Sequence, residues 1–193
     1  MSTTSEVECP ERIHTARLLL RCWRAEDAPL LKDAIDGSLE HLRRFMPWAW
    51  DEPSPVEVFA ERVERYRADF LAGREWRFGV FPPSDGEVLG MIGIHRRGPA
   101  GTLDFGYWLR SDAVGHGYMT EAAAALTDLA LRRLRADRVE IRCNALNEAS
   151  SGIPRRLGYR LEQTLQEDFH GEPRTTRVWA TTADERSPAS AGR

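Results

Sequence analysis

The stretch Gly115-His116-Gly117-Tyr118-Met119-Thr120-Glu121 limits what this chain can fold into more than any other. A strand-like segment, Thr102 to Arg110 (TLDFGYWLR), stands before it. An Ala/Leu-rich helix to about Leu134 follows, and then a second strand-like segment, Arg138 to Cys143. Two glycines allow a tight turn that brings backbone N–H groups close to an anion. The helix behind them points its positive end at the same spot. A strand–glycine turn–helix–strand unit of this kind is suited to a phosphate-bearing ligand.

The segments upstream alternate in a way that argues against a purely parallel sheet. Arg17 to Trp23 (RLLLRCW) reads as a first strand, and Ala25 to Ile35 as a short helix with Pro29 early in it. Ser54 is expected to cap a helix from Pro55 to about Ala72, with Val56, Phe59, Val63, Tyr66 and Phe70 on its buried face. Trp76 to Phe81, Glu87 to Arg96 and TLDFGYWLR are short strands joined by Gly/Pro turns, the pattern of an antiparallel meander. After Cys143 a short helix ends at Leu157-Gly158-Tyr159, and Arg160 to Phe169 and Thr175 to Thr181 are the last strands. The expected organisation is a flexible N-terminus over 1–14, one domain over 15–183, and a Ser/Ala/Pro/Gly-rich disordered tail over 184–193.

Composition excludes several classes. A chain of 193 residues suits one domain. The net charge of -3 argues against a dedicated nucleic-acid binder, which would carry a basic surplus. Cys9, Cys22 and Cys143 are scattered, without metal-ligand spacing, so no metal site is expected and the thiols read as buried in a reducing compartment. No apolar run approaches the ~20 residues of a membrane span, and no signal peptide is visible, so a cytoplasmic protein with no membrane partner is the expectation.

Three ligands compete for the glycine turn. A P-loop would need Gly-Lys-Ser/Thr, which is absent. A dinucleotide fold would need a third Gly or Ala where Thr120 stands, and would open the chain rather than follow a meander. The third is coenzyme A, with its pyrophosphate on the N–H groups of the turn.

The run DFGYWLRSDAVGHGYMTEAAAAL resembles the acetyl-CoA-binding motif of the GNAT superfamily of N-acetyltransferases. The later run NALNEASSGIPRRLGYRLE is similar to the N-x-x-N-x-x-S…LG(F/Y) element of its RimJ/RimL-type branch. The resemblance extends over roughly Arg17 to Thr181, nearly the whole chain. The resemblance implies an α+β fold with a central, mostly antiparallel, splayed mixed sheet flanked by helices. It implies acetyl-CoA beside Trp108 and Leu109, with its pyrophosphate on Gly115, His116, Gly117, Tyr118, Met119 and Thr120. It also implies an acetyl group moved directly to a primary amine, on a protein N-terminus or a small or peptide-like molecule. Val114 departs from the family's Gln or Arg at the start of the turn, which touches affinity rather than the backbone contact. Pro154, inside the short helix after Ser150, is a second departure.

Acyl transfer to an amine needs a proton acceptor for the amine and a proton for the departing thiolate. By resemblance Ser150 is the acid, while its competing reading is an N-cap of the short helix. Asn144 and Asn147 then contact the pantetheine or order the loop. Asp104 and Asp168 are the two carboxylates that match positions of a base, with His95 and His116 ranked below them. Alternation places Asp104, Gly106 and Trp108 on one face of their strand. The acceptor wall falls on HLRRFMPWAW, where Phe45, Trp48 and Trp50 suit an apolar or flat group and Arg43 and Arg44 read as solvated. The branch often forms homodimers. A different class, a non-catalytic acyl-CoA-binding regulatory module, would keep the fold and the turn without the chemistry.

Overall fold

A computed structural model describes residues 9–169 and 172–186. Eight strands form one sheet in the order β1-β2-β3-β4-β5-β6-β8-β7. They are β1 (Arg12–His14), β2 (Leu19–Cys22), β3 (Trp76–Phe81), β4 (Gly90–His95), β5 (Thr102–Leu109), β6 (Arg138–Asn144), β7 (Arg160–Phe169) and β8 (Glu172–Thr182). Every neighbouring pair is antiparallel except β5 and β6, which run parallel. The helices are α1 (Ala28–Asp36), α2 (Leu39–Arg43), α3 (Val56–Leu71), α4 (Tyr118–Asp128) and α5 (Glu148–Arg156).

Alternation along the strands divides the core in two. One set, including Leu20, Phe78, Ile92, Phe105 and Ile141, packs with Met119, Ala122 and Leu126 of α4. The other, including Leu19, Phe81 and Trp108, packs with Leu31, Ile35, Phe59 and Val63 of α1 and α3. Apolar residues recurring at helical spacing on α1, α3 and α4 cover the period-2 faces of the sheet, which is what buries both sides.

The parallel pair is where the sheet opens. β5 and β6 are in register only from Thr102 with Arg138 to Phe105 with Ile141. Beyond that, β5 stays with β4 as far as Leu109 opposite Gly90, and β6 stays with β8 as far as Asn144 opposite Thr176. The two strands therefore part at Gly106. The edge of Gly106–Leu109 that faces β6 is left without a strand partner.

Four local expectations change. Arg12–His14, expected to be loose, forms β1 against Leu19–Arg21. Ser54 does not cap α3, because Pro55 holds the N-cap position and no side chain caps it; Ser54 Oγ lies 3.5 Å from Asp51 O instead. The HLRRFMPWAW segment, expected as a loop, holds the last residues of α2 and most of a 3-10 turn over Pro47–Asp51. Asp184–Arg186, placed in the disordered tail, form a 3-10 turn. The rest of both terminal segments, 1–8 and 187–193, lies outside the described residues.

Candidate functional site

The glycine turn is built as its residue types require. Gly115 and Gly117 have φ of +84° and +79°, the left-handed region that costs other residues about 1–2 kcal/mol. Gly117 is the N-cap of α4 and brings no side chain to it. The first helical bond joins Glu121 N–H to Gly117 O, so the N–H groups of Tyr118, Met119 and Thr120 stand free of helical partners. Met119's side chain is buried in the core, so only its backbone belongs to the turn. Val114 is exposed beside it.

The turn is braced from the β1–β2 connection. Arg17 donates from Nη1 to His116 O at 2.9 Å and from Nε to Glu121 Oε2 at 2.8 Å, and its guanidinium lies 5.0 Å from the Tyr118 ring centre. Thr15 Oγ1 donates to Glu121 Oε1 at 2.6 Å. Burial pushes the Glu121 carboxyl up, but the Thr15 and Arg17 bonds outweigh it and hold it below its usual range. These contacts span roughly a hundred positions in the chain, so no local pattern announces them.

Ser150 stands on the α4–α5 side of the opened sheet. Asn147 is the N-cap of α5, and its Oδ1 accepts Ser150 N–H at 3.0 Å. The N-cap reading of Ser150 is therefore displaced: Ser150 is in the first turn, and its hydroxyl is not used for capping. Asn144 Oδ1 accepts Leu146 N–H at 2.9 Å. Both asparagine side chains thus order the loop.

A residue that sequence reasoning passed over completes this side. Ser150 Oγ donates to Tyr107 Oη at 3.2 Å, and Tyr107 Oη donates to Ser150 O at 3.2 Å. The second bond exists because of Pro154. An ordinary residue four positions after Ser150 would use its N–H to bond Ser150 O, and proline has none. The phenol of β5 takes that place. Burial holds the Tyr107 hydroxyl well above the usual phenol range, so it stays protonated.

Tyr107→Phe removes both bonds and leaves Ser150 O without its partner. We expect a loss of about 1–2 kcal/mol in denaturant unfolding. We also expect roughly tenfold lower turnover with an unchanged KM for acetyl-CoA, since the fixed hydroxyl is a matter of orientation. Unchanged turnover would show that Ser150 needs no such support.

Asp104, Gly106 and Trp108 do share the opposite face, as alternation predicts. Asp104 is buried, and its Oδ1 has no hydrogen-bond partner among the described residues. Burial raises its carboxyl above the usual range, partly offset by Arg97 and Arg142. Trp108 is buried against Trp48, with ring centres 6.1 Å apart. Leu109 is half-buried at the end of the strand. Asp168 is elsewhere. It is exposed near the tip of the β7–β8 hairpin, opposite Pro173, beyond the point where β6 stops.

The segment expected to form the acceptor wall adjoins α2. Arg43 donates to Ala49 O at 3.0 Å and to Glu52 O at 2.5 Å, and its guanidinium covers Trp50 at 5.4 Å. It is thus a brace for the aromatic turn rather than a solvated charge. Trp50 is 69% exposed, and Phe45 is half-buried with Arg44 5.6 Å from its ring centre. A cavity of about 330 Å³ is bounded by Glu40, Arg43, Arg44 and Trp50. A second, of about 270 Å³, shares Glu40 and Arg44 with it and reaches Ser111 just past β5. The two make one groove along α2.

A sheet opened beside a glycine turn, with uncapped N–H groups on one side and a hydroxyl pair on the other, is the layout of an acyltransferase that holds a phosphate-bearing thioester. The acetyltransferase (GNAT) domain family model matches residues 17–160, and the chain belongs to that family. It is 29% identical over 147 residues to a Bacillus subtilis protein named "Putative ribosomal N-acetyltransferase YdaF", covering 74% of this chain and 77% of the relative. It is also 29% identical over 114 residues to "Probable N-acetyltransferase YjcK" of the same organism, covering 58% of this chain and 63% of that protein's length. The structure of Mycobacterium smegmatis RimJ in complex with CoA-disulfide superposes with a TM-score of 0.75 at 25% identity, over 88% of this chain and 83% of the other.

Proposed function

We propose that the chain transfers the acetyl group of acetyl-CoA to a primary amine, and that the preferred amine is the N-terminus of a protein or peptide. The observation that carries this reading is the parting of β5 and β6 at Gly106, with Tyr107–Ser150 on one side and Asp104 on the other. The bound thioester supplies the activated acetyl group and a thiolate leaving group. The turn residues hold the pyrophosphate through the N–H groups of Tyr118, Met119 and Thr120, while Trp108 and Leu109 lie along the acyl arm. The free β6-facing edge of β5 offers N–H donors to the thioester oxygen, the place where charge builds up.

Ser150, held by Tyr107 and Asn147, gives its Oγ proton to the departing sulfur. The amine loses its proton on the face that carries Asp104. Of the two candidate carboxylates, Asp104 is the one buried on that face, beside the fork. Asp168 fits a role at the entrance, where it would meet the acceptor rather than the thioester. The acceptor approaches along the α2 groove, past Phe45, Trp48 and Trp50. An open groove with aromatic and arginine edges suits an extended chain better than a small polyamine, which would call for an acidic cleft. The name of YdaF, a putative ribosomal N-acetyltransferase, points to the same acceptor class.

The test is release of CoA thiol from acetyl-CoA in the presence of single amines. Short peptides with free Ala, Ser or Met N-termini should support release, and the same peptides with blocked N-termini should not. Turnover on polyamines or free amino acids alone would move the acceptor to small molecules. Tight CoA binding with no turnover on any amine would make the chain a regulatory acyl-CoA-binding module and overturn the proposal.

A further inference from the structure

We infer that His95, held by Glu75, is the proton acceptor of this site, receiving the acceptor amine's proton at Nε2. His95 closes β4 directly across from Asp104, and their neighbours Gly93 and Gly106 are paired in the same ladder. All four lie on the face that carries Trp108. The imidazole does not point away from the sheet but lies over the two glycines. A Cβ placed on Gly93 would stand 2.8 Å from Nε2, and one placed on Gly106 would stand 3.5 Å from it. Any larger residue at 93 would push the ring aside. Gly106 is the residue at which β5 and β6 part. Nε2 is thereby delivered to the fork itself.

The ring is oriented from its other nitrogen. Nδ1 lies 3.1 Å from Glu75 Oε1. The Arg97 guanidinium is 3.4 Å from the same nitrogen, but the carboxylate is nearer and can only accept. That contact keeps a proton on Nδ1 and leaves Nε2 as the lone-pair nitrogen. Glu75 is itself held by Arg77. His95 is buried, and burial with the Arg97 charge pulls its pKa down to about 4, against the pull of Glu75 in the other direction. The imidazole is therefore neutral at pH 7, and the imidazolium that forms on proton transfer depends on the Glu75 carboxylate for its stability. The charged groups that face it are Glu75 before β3, Arg77 on β3, Arg97 after β4 and Asp104 on β5.

The balance is simple. The acceptor nitrogen bonds to the acetyl carbon and gives one proton to Nε2, while Nδ1–H leans on Glu75. As the C–S bond breaks, Ser150 Oγ returns a proton to the sulfur on the other face. Exchange with solvent restores both groups. Asp104, on the imidazole's own face, provides a negative neighbour for the imidazolium that forms. The inference rests on the acetyl-transfer reading above and names the group that does one of its steps.

The test has two independent arms. In the free protein, nitrogen NMR assigned by difference from His95→Gln should show a neutral imidazole at pH 7 with its proton on Nδ1. A proton on Nε2 would overturn the inference without touching the acetyl-transfer reading. In the second arm, His95→Ala should keep its acetyl-CoA affinity by calorimetry and lose about 100-fold in turnover. Added imidazoles should restore turnover, and more basic imidazoles should restore more. Turnover within threefold of the parent, rescue independent of imidazole basicity, or loss of acetyl-CoA binding together with turnover would each overturn it. His95→Gln preserves bulk, and the same loss is expected there if His95→Ala fails to fold. Glu75→Gln should lower kcat about tenfold with KM unchanged and shift the imidazole toward the other tautomer.

Discussion

Ser150→Ala should lower kcat about a thousandfold while leaving the acetyl-CoA dissociation constant within twofold, measured by steady-state kinetics and calorimetry. The reasoning is geometric. The substitution removes one hydroxyl from the first turn of α5. It leaves Asn147 as the cap, since that bond runs to the backbone N–H of residue 150. It also leaves the bond from the Tyr107 phenol to the backbone O of residue 150. Nothing that holds the helix is lost, and alanine is a better helix former than serine. What disappears is the hydroxyl that we propose as the proton source for the leaving sulfur. An alanine variant with the parent's turnover would take Ser150 out of the chemistry and leave it as a packing residue.

Gly117→Val should abolish measurable acetyl-CoA binding, a loss of more than a hundredfold in affinity by calorimetry. Gly117 sits at φ +79° and serves as the N-cap of α4. A β-branched residue at that φ is strained by more than the about 1–2 kcal/mol of an ordinary left-handed residue. Its Cβ would stand 3.5 Å from Arg17 Nη2, and the rest of the side chain would reach the brace that holds His116 O. Relief of that strain turns the N–H groups of Tyr118, Met119 and Thr120 away from a common point, and a pyrophosphate site depends on their convergence. The fold should survive, because Gly117 itself belongs to neither core cluster. A valine variant that binds acetyl-CoA as the parent does would show that side chains, not the backbone of the turn, hold the anion.

The parts legible in the sequence are those whose physics is local. The glycine turn, α4 and β6 stand where the strand–turn–helix–strand pattern put them, because glycine conformation, helix period and strand alternation are all short-range effects. The family motif after β6 likewise located Ser150. Asn147 rather than Ser150 as the cap was open to view, since both are good cap residues three apart and only the fold chooses between them. β1 was not legible. It is three residues long at the sheet edge, with two exposed side chains, and carries no alternating apolar signal.

The site's long-range members were hidden for a different reason. Glu75 meets His95 across twenty positions, and Arg17 meets His116 across ninety-nine. No periodicity relates such pairs. His95 looked weak in isolation because its significance lies in two glycines that make room for it. Phe45, Trp48 and Trp50 were grouped by density alone. The structure separates them, with Trp48 packed on Trp108 of β5 and Trp50 facing outward.

Pro154 changes what kind of object α5 is. In an uninterrupted helix the carbonyl of Ser150 would be satisfied from within, and the first turn could shift as a unit on its own. With the internal donor gone, that carbonyl answers to a phenol forty-three positions earlier in the chain. The first turn of α5 is therefore registered to the sheet rather than to its own axis. Displacement of β5 is carried straight to the serine hydroxyl, so that under the proposed mechanism donor and thioester would move in one frame.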